Sequence, residues 1–186
     1  DRVRAEALER MKVAIDMAAK FGASVNVGKL RGNIAKDDGG KSQRLRDEMF
    51  KTVCDYAATK GVAITLEPQC RFSVNNLNTT QEALAWLKQQ QLPQLYLMLD
   101  VFHMNVEDRS FAASFIDAKD YTIHIHLAEN HRGAPGTGML NFVEIIRVLK
   151  ALGYQRYLSM EIEQSPDCYT AAQQAYHYVQ QLIESL

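Results

Sequence analysis

Apolar residues recur along the chain with two alternating periods, which predict helices and strands in turn. Residues 1–21 carry apolar side chains at steps of three and four, and Gly22 follows as a stop. This spacing is typical of an amphipathic helix. Five further helices are predicted, over 42–59, 79–90, 108–118, 141–152 and 167–185. We expect Ser42 to cap the second helix and Asn78 or Thr79 to cap the third.

Short runs of β-branched and aliphatic residues lie between the predicted helices. They predict five strands, over 23–29, 62–68, 95–100, 121–127 and 156–163. Because these runs are apolar almost throughout, both faces of each strand should be buried, as in a parallel sheet covered by helices. No linker or low-complexity segment interrupts the pattern. The sequence therefore predicts one α/β domain over residues 1–186.

Five βα units fit either an open doubly wound sheet or part of a (β/α)8 TIM barrel. Polar side chains at or near the C-terminal ends of four consecutive strands favour the barrel: Glu67, Asp100, His126 and Glu161. A flat sheet would spread them over ~15 Å, whereas the mouth of a barrel brings them together. A complete barrel has eight strands and about 250 residues. We therefore expect an incomplete TIM barrel of five C-terminal βα units, with the first three missing.

Charge and composition narrow the class of protein. The formal net charge is −1 and the basic residues are dispersed, which disfavours binding to nucleic acid through phosphate contacts. No apolar run approaches the ~20 residues that a membrane-spanning helix requires. The three cysteines form no CxxC pair and are interpreted as reduced thiols of a cytoplasmic protein.

The four strand-end residues combine three carboxylates with one imidazole. Such groups repel one another at close range unless a cation lies between them. Hard oxygen ligands suit Mn²⁺, Mg²⁺ or Co²⁺ better than a metal selected by thiolates, and Zn²⁺ stays open. We expect His103, three residues after Asp100, in a loop near the same mouth. Arg132 lies in a Gly/Pro-rich loop that lacks the spacing of a phosphate-binding Walker loop.

Two histidines, His124 and His126, lie one residue apart in the predicted fourth strand and should face the same way. Only His126 is near the C-terminal end of the strand, so it is the candidate ligand. His124 lies one layer below and is assigned to the polar core or to support of the ligand. Glu129 and Glu163 are expected to have supporting or surface roles.

Four strings carry a resemblance to a known family: LEPQCRF…LNT, LDVFHMNVED, HIHLAENHRGAPGTG and YLSMEIE. In this order they resemble the xylose-isomerase-like TIM barrels of the sugar (phosphate) isomerase/epimerase group, and the ketose 3-epimerases in particular. The resemblance implies a divalent metal, usually manganese, held by Glu67, Asp100, His126 and Glu161. It further implies that Glu67 and Glu161 are the catalytic acid/base pair, and that His103 and Arg132 bind the carbonyl side of the substrate.

The activity expected from this resemblance is C3 epimerisation of a ketose or ketose phosphate through a cis-enediolate. Dehydration or aldose–ketose isomerisation on the same barrel stays open, as does a non-catalytic fragment that retains the metal site. A DNA-repair nuclease of related fold is disfavoured, because its trinuclear zinc centre would need more than the five histidines present. The expected partner is a small sugar. The unpaired strands at the edges of a partial barrel leave a homo-oligomer open.

Overall fold

Five parallel strands form one sheet in chain order, β1-β2-β3-β4-β5. The structure is a computed structural model that describes residues 2–186. The strands β1 to β5 are Val25–Val27, Ile64–Leu66, Leu95–Asp100, Thr122–Leu127 and Tyr157–Met160. The helices α1 to α7 are Arg2–Phe21, Lys41–Lys60, Thr80–Gln90, Val101–Glu107, Phe111–Ala118, Phe142–Ala151 and Cys168–Ser185, and Lys29–Arg31 form a short 3₁₀ turn.

Sequential strand order distinguishes the two architectures that the sequence left open. A doubly wound sheet reverses its strand order at a switch point, whereas each strand of a barrel pairs with the next one along the chain. All four strand pairs are parallel and join consecutive strands. The prediction of an α/β fold that forms an incomplete TIM barrel is confirmed, with five of the eight βα units present.

Side chains alternate between the two faces of the sheet. Ile64, Leu66, Leu97, Leu99 and Ile125 are completely buried and pack against the helices. Each such side chain stabilises the fold by about 1.5–3 kcal/mol. The alternate positions lie on the opposite face, which corresponds to the interior of a barrel and is called the interior face below. It carries the polar side chains that converge at the ends of the strands.

Helix α3 begins where the sequence predicts, and α2 does not begin as expected. The side chain of Thr79 accepts a hydrogen bond from the backbone of Glu82, whose own side chain accepts one in return, so a capping box starts α3. At α2 the capping position is Gly40, in the left-handed conformation, and the expectation of a Ser42 cap was wrong. The Ser42 hydroxyl instead accepts a hydrogen bond from Ala35 N and holds the preceding loop.

Residues 101–107 are helical, so the expectation that His103 lies in a loop was wrong. Asp100 ends β3 and also caps α4, because its Oδ1 accepts a hydrogen bond from Phe102 N at 2.8 Å. The apolar residues Val101 and Phe102 continue the apolar run of the strand, so the sequence pattern does not indicate where the helix begins. Between residues 2 and 186, no helix has the length and apolar character needed to cross a membrane.

Candidate metal and catalytic site

The four strand-end residues meet at one end of the sheet. Glu67 directly follows β2, Asp100 ends β3, His126 lies near the end of β4, and Glu161 directly follows β5. One potential ligand atom from each lies within 4.8 Å of those of the others. The register explains this convergence, because Asp100 pairs with His126 across β3 and β4, and Glu161 N donates to the carbonyl of Leu127. Their role as ligands stays a prediction.

The group is closed on one side and open on the other. Glu67 and Asp100 are 3% and 0% exposed, whereas His126 is half-buried and Glu161 is exposed. The exposed side lies at the β5 edge of the partial sheet, where a cavity of about 460 Å³ is lined by Arg132, Glu161 and residues 162–164. The buried side is formed by the ends of β2 and β3.

Arg132 places a fixed cation against two of the carboxylates. Its Nη1 donates to Oδ2 of Asp100 at 2.6 Å, and its Nη2 donates to Oε2 of Glu161. The guanidinium lies 4.7 Å from the centre of the Phe102 ring, which restricts it further. The backbone of Arg132 has a φ of 67°, a left-handed conformation that non-glycine residues seldom adopt. The loop therefore holds this side chain in place at some conformational cost.

Burial and charge move the pKa values of the group in opposite directions. Burial raises the pKa of Glu67, and it raises the pKa of Asp100 to about 7 despite the nearby Arg132. The hydrogen bond from His126 and the charge of Arg132 lower the pKa of Glu161 to about 2. Burial alone would lower the pKa of His126, but its hydrogen bond to Glu161 and the surrounding carboxylates raise it. The pKa values of the two glutamates are thus shifted in opposite directions.

His103 reaches the same group from helix α4. Its Nε2 lies 3.7 Å from Oε1 of Glu67, and its side chain is buried. Burial and the charge of Arg132 lower the pKa of His103 to about 4, so the imidazole is neutral at pH 7. Its Nδ1 has no hydrogen-bond partner among residues 2–186. A neutral imidazole in this position can donate a hydrogen bond to a substrate oxygen.

The residues present fit a divalent metal ion. Oε1 of Glu67 is buried and has no hydrogen-bond partner in the part of the chain that the structure describes. A buried acceptor without a partner costs about 1–3 kcal/mol, which a bound cation would offset. Three carboxylates and one imidazole form the oxygen-rich set preferred by Mn²⁺ and Mg²⁺. The group of four can therefore hold a divalent ion.

His124 takes no part in that group. Its Nε2 is 2.7 Å from the hydroxyl of Ser159 on β5, and its ring lies 5.2 Å from that of His126. His124 thus links β4 to β5 one layer below the ligands. This position agrees with its assignment to the polar core or to support of the ligand.

Glu129 has a larger structural role than the sequence indicated. It is completely buried, and its carboxylate accepts backbone hydrogen bonds from Asn130, Gly136 and Leu140. The loop that carries Arg132 is therefore folded around this carboxylate. A Cβ at Gly138 would lie 2.5 Å from Oε2 of Glu129, so only glycine fits there. The Gly/Pro-rich composition of the loop was the signal that could have indicated this.

Three further residues around Glu67 were missed from the sequence. Asn26 and Gln69 donate hydrogen bonds to Oε2 of Glu67. Arg31 is buried and donates to backbone carbonyls, among them that of Glu67 at 2.9 Å. Burial lowers the pKa of Arg31 to about 10. Gln69 lies two residues after Glu67 in the string LEPQCRF, whereas Asn26 and Arg31 belong to no local motif and are brought to the site by the pairing of β1 with β2.

Comparisons with known proteins agree with this geometry. The family model described as "Xylose isomerase-like TIM barrel" matches residues 1–184. The L-ribulose 3-epimerase of Methylomonas sp. (strain DH-1) is 33% identical over 156 residues, which cover 82% of this chain and 54% of that enzyme. The 3-dehydro-D-guloside 4-epimerase of Escherichia coli (strain K12) is 30% identical over 119 residues, 64% of this chain and 45% of that enzyme.

Solved structures show the same relationship. The crystal structure of D-allulose 3-epimerase from Methylomonas sp. in complex with D-allulose matches with a TM-score of 0.84 and 28% identity, over 95% of this chain and 69% of that one. The chain spans about half the length of the curated relatives it matches. Strand order, the position of the polar residues at the strand ends and the matched family model agree. The chain belongs to the xylose isomerase-like TIM barrel family.

Proposed function

We propose that the protein is a metal-dependent sugar isomerase that inverts C3 of a ketose, with Glu67 and Glu161 as its acid/base pair. One observation carries the proposal: the convergence of the four side chains at the strand ends, in a chain 33% identical to an L-ribulose 3-epimerase. Epimerisation at C3 replaces a proton on one face of the carbon by a proton on the other. It therefore requires two proton-transfer groups on opposite sides of the substrate.

The positions of Glu67 and Glu161 in the sheet support this assignment. They follow β2 and β5, which are separated by β3 and β4 in the sheet. One carboxylate takes the C3 proton, and the electron pair of the C–H bond moves into the enediolate. The other glutamate delivers a proton to the opposite face of C3, and the carbonyl at C2 forms again. The reverse reaction exchanges the two roles.

Glu67, Asp100, His126 and Glu161 would hold the divalent ion, for which we propose Mn²⁺. When bound, such an ion supplies Lewis acidity that polarises the carbonyl and stabilises the charge of the enediolate.

His103 and Arg132 complete the polar environment of the carbonyl side. The neutral His103 can donate a hydrogen bond to the oxygen on which negative charge develops. The guanidinium of Arg132 adds positive charge at the open side of the group. Both groups are restrained before substrate arrives, His103 by burial on α4 and Arg132 by its two carboxylate partners.

The charges at the site favour an unphosphorylated ketose over a ketose phosphate. Two arginines lie next to Glu67 or Asp100, and the guanidinium of each already donates hydrogen bonds within the protein. Arg132 donates to Asp100 and Glu161, and Arg31 donates to backbone carbonyls. Arg71, in the loop after β2, is paired with Glu107. The D-allulose in the related crystal structure also carries no phosphate.

A second candidate reaction is inversion at C4 of a keto sugar. It is favoured by the 30% identity to a 3-dehydro-D-guloside 4-epimerase. The chemistry is the same, because the proton removed again lies on a carbon next to a carbonyl. Aldose–ketose isomerisation and dehydration would also begin with such a step.

The most informative experiment measures proton exchange on a panel of sugars. The purified protein is incubated with ketoses and 3-keto glycosides in D₂O with Mn²⁺, and NMR locates the deuterium in each sugar. The metal content of the purified protein is measured in parallel. Deuterium at C3 of a ketose supports the proposal, and deuterium at C4 of a 3-keto sugar favours the second candidate. Exchange that persists in both Glu67→Gln and Glu161→Gln would exclude the two-glutamate mechanism.

Further properties complete the proposal. We propose one domain over residues 1–186, a cytoplasmic location and a homo-oligomer. The cytoplasmic location is supported by the free thiols of Cys54, Cys70 and Cys168. Since five strands leave two edges, we expect these 186 residues alone to be inactive or weakly active. Turnover at ordinary epimerase rates by a monomer of this length would contradict that expectation.

A further inference from the structure

The two carboxylate oxygens of Glu67 have unlike surroundings. Oε2 accepts hydrogen bonds from Nδ2 of Asn26 at 2.8 Å and from Nε2 of Gln69 at 3.0 Å. Oε1 has no hydrogen-bond partner within residues 2–186, and Nε2 of His103 lies 3.7 Å from it. One oxygen is therefore saturated by amide donors, and the other is a buried acceptor without a hydrogen bond in the part of the chain that the structure describes.

Asn26 is itself held in the orientation that this contact needs. It lies on β1, paired in register with Thr65 on β2, and both side chains project from the interior face. The hydroxyl of Thr65 donates to Oδ1 of Asn26 at 3.2 Å. Since Oδ1 accepts this hydrogen bond, Nδ2 is the atom that faces Glu67. The strand pairing that builds the barrel thus also orients the amide.

Gly28 closes the saturated side of Glu67. A Cβ at this position would lie 2.7 Å from Nε2 of Gln69 and 2.9 Å from Oε2 of Glu67, so the backbone packs directly on both groups. Arg31 fixes the same corner, since its Nη1 donates to the carbonyls of both Gly28 and Glu67. Rotation of the carboxylate would break the two amide hydrogen bonds to Oε2.

We propose that Asn26 and Gln69 are positioning residues that hold Oε2 of Glu67, so that Oε1 alone is offered to the metal and the substrate. The inference rests on the proposed function and adds two residues that act through Glu67. Groups that orient metal ligands by hydrogen bonding commonly change metal affinity by about 10–100-fold when they are removed. Without the two amides, the carboxylate of Glu67 rotates freely and both oxygens compete for the ion.

The test compares Mn²⁺ binding by calorimetry in the wild-type protein and in Asn26→Ala, Gln69→Met and the double variant. Each single variant should weaken binding by about 10–100-fold. Where turnover is measurable, kcat should fall more than KM rises, because substrate contacts remain. Asn75→Ala is the matched control, since this amide joins the segment after β2 to the segment after β1 through Ile34 and makes no hydrogen bond to Glu67. It should bind Mn²⁺ as the wild-type protein does.

A Glu67→Gln background separates positioning from a general structural role. If Asn26 and Gln69 act through the carboxylate, their substitution should change Mn²⁺ affinity less than threefold in this background. An effect of the same size in both backgrounds would overturn the inference. So would wild-type affinity in Asn26→Ala and Gln69→Met, and in that case the proposed function would stand. No Mn²⁺ binding by the wild-type protein would overturn both.

Discussion

Nη1 of Arg132 donates a hydrogen bond to Oδ2 of Asp100 at 2.6 Å, so a fixed cation contacts the most deeply buried carboxylate of the site. The same guanidinium contacts Glu161, the most exposed of the four residues. Arg132 therefore spans the site from its closed side to its open side, and it shares two carboxylates with the proposed metal ion.

This relationship predicts that Arg132→Met has opposite effects on binding and on turnover. Without the guanidinium, Asp100 and Glu161 are freed for the ion, and Mn²⁺ affinity should rise about tenfold, equivalent to ~1.4 kcal/mol of removed repulsion. Where turnover is measurable, it should fall about 10²–10³-fold, as for loss of one donor to a developing oxyanion. Calorimetry and steady-state kinetics measure the two effects. Arg71→Met, which removes a salt bridge to Glu107, is the control. A loss of Mn²⁺ affinity in Arg132→Met would contradict the prediction.

The affinity for metal should depend on pH through Asp100 and Glu67. Burial raises the pKa of both carboxyls, that of Asp100 to about 7, so protons compete with the ion below neutrality. Mn²⁺ affinity should therefore rise about fivefold from pH 6 to 7 and level off above, if one proton with a pKa of about 7 is displaced. Calorimetry in buffers of different ionisation enthalpy counts the protons released. An affinity that is constant over this range would exclude the competition.

The same shift determines how the metal-free protein responds to pH. A carboxyl whose pKa is higher in the folded than in the unfolded state contributes stability at low pH. For Asp100 this contribution is complete below its ordinary pKa of 3.8 and is lost as the pH rises toward 7. The rise in melting temperature on addition of Mn²⁺ should accordingly be larger at pH 7.5 than at pH 5.5. Asp100→Asn should remove most of this difference.

Glu129→Ala should destabilise the fold and impair the site together. The buried carboxylate accepts three backbone hydrogen bonds that have no substitute in the loop. Hydrogen bonds to a charged group contribute about 1.5–3 kcal/mol each, and partial relaxation should leave a loss of about 2–4 kcal/mol in the free energy of unfolding. Urea denaturation measures it. Glu163→Gln changes an exposed carboxylate of the same neighbourhood and should alter stability by less than about 0.5 kcal/mol. Equal effects of the two substitutions would contradict the role of Glu129.

Metal removal gives a direct measure of the proposed site. Chelation should lower the melting temperature of protein purified with its metal, and Mn²⁺ at 100 times its Kd should restore about 2.7 kcal/mol of stability. The restoration should be absent in a variant that lacks two of the proposed ligands, Asp100→Asn with His126→Gln. Restoration of equal size in that variant would show that the ion binds elsewhere.

The regular elements could be predicted well because their signals are local. The bounds of β3 and the cap of α3 at Thr79 agree with the structure, since the apolar run of 95–100 and a capping side chain each act within a few residues. The convergence of Glu67 with Glu161 was also predictable, because strand ends meet at one edge of a parallel sheet.

Most of the supporting residues could not be predicted because their partners are distant in sequence. Asn26 contacts a residue 41 positions away, and Arg31 contacts carbonyls 36 to 46 positions away. Nothing in the local sequence marks either one. The burial of Glu129 depends on a loop that returns to it over 11 residues. Polar residues that support a site through contacts within a folded loop thus cannot be identified from their position relative to the strand ends.

The contacts of the two carboxylate oxygens of Asp100 restrict which amino acids this position can tolerate. Oδ1 starts helix α4, which carries His103, and Oδ2 faces Arg132 and the candidate metal group. Asparagine would keep the helix cap and lose the charge, whereas glutamate would keep the charge and lose the short reach that a cap requires. Only aspartate meets both demands. Every substitution at residue 100 therefore loses at least one of the two roles, so this position should vary less among functional homologues than a position with only one of them.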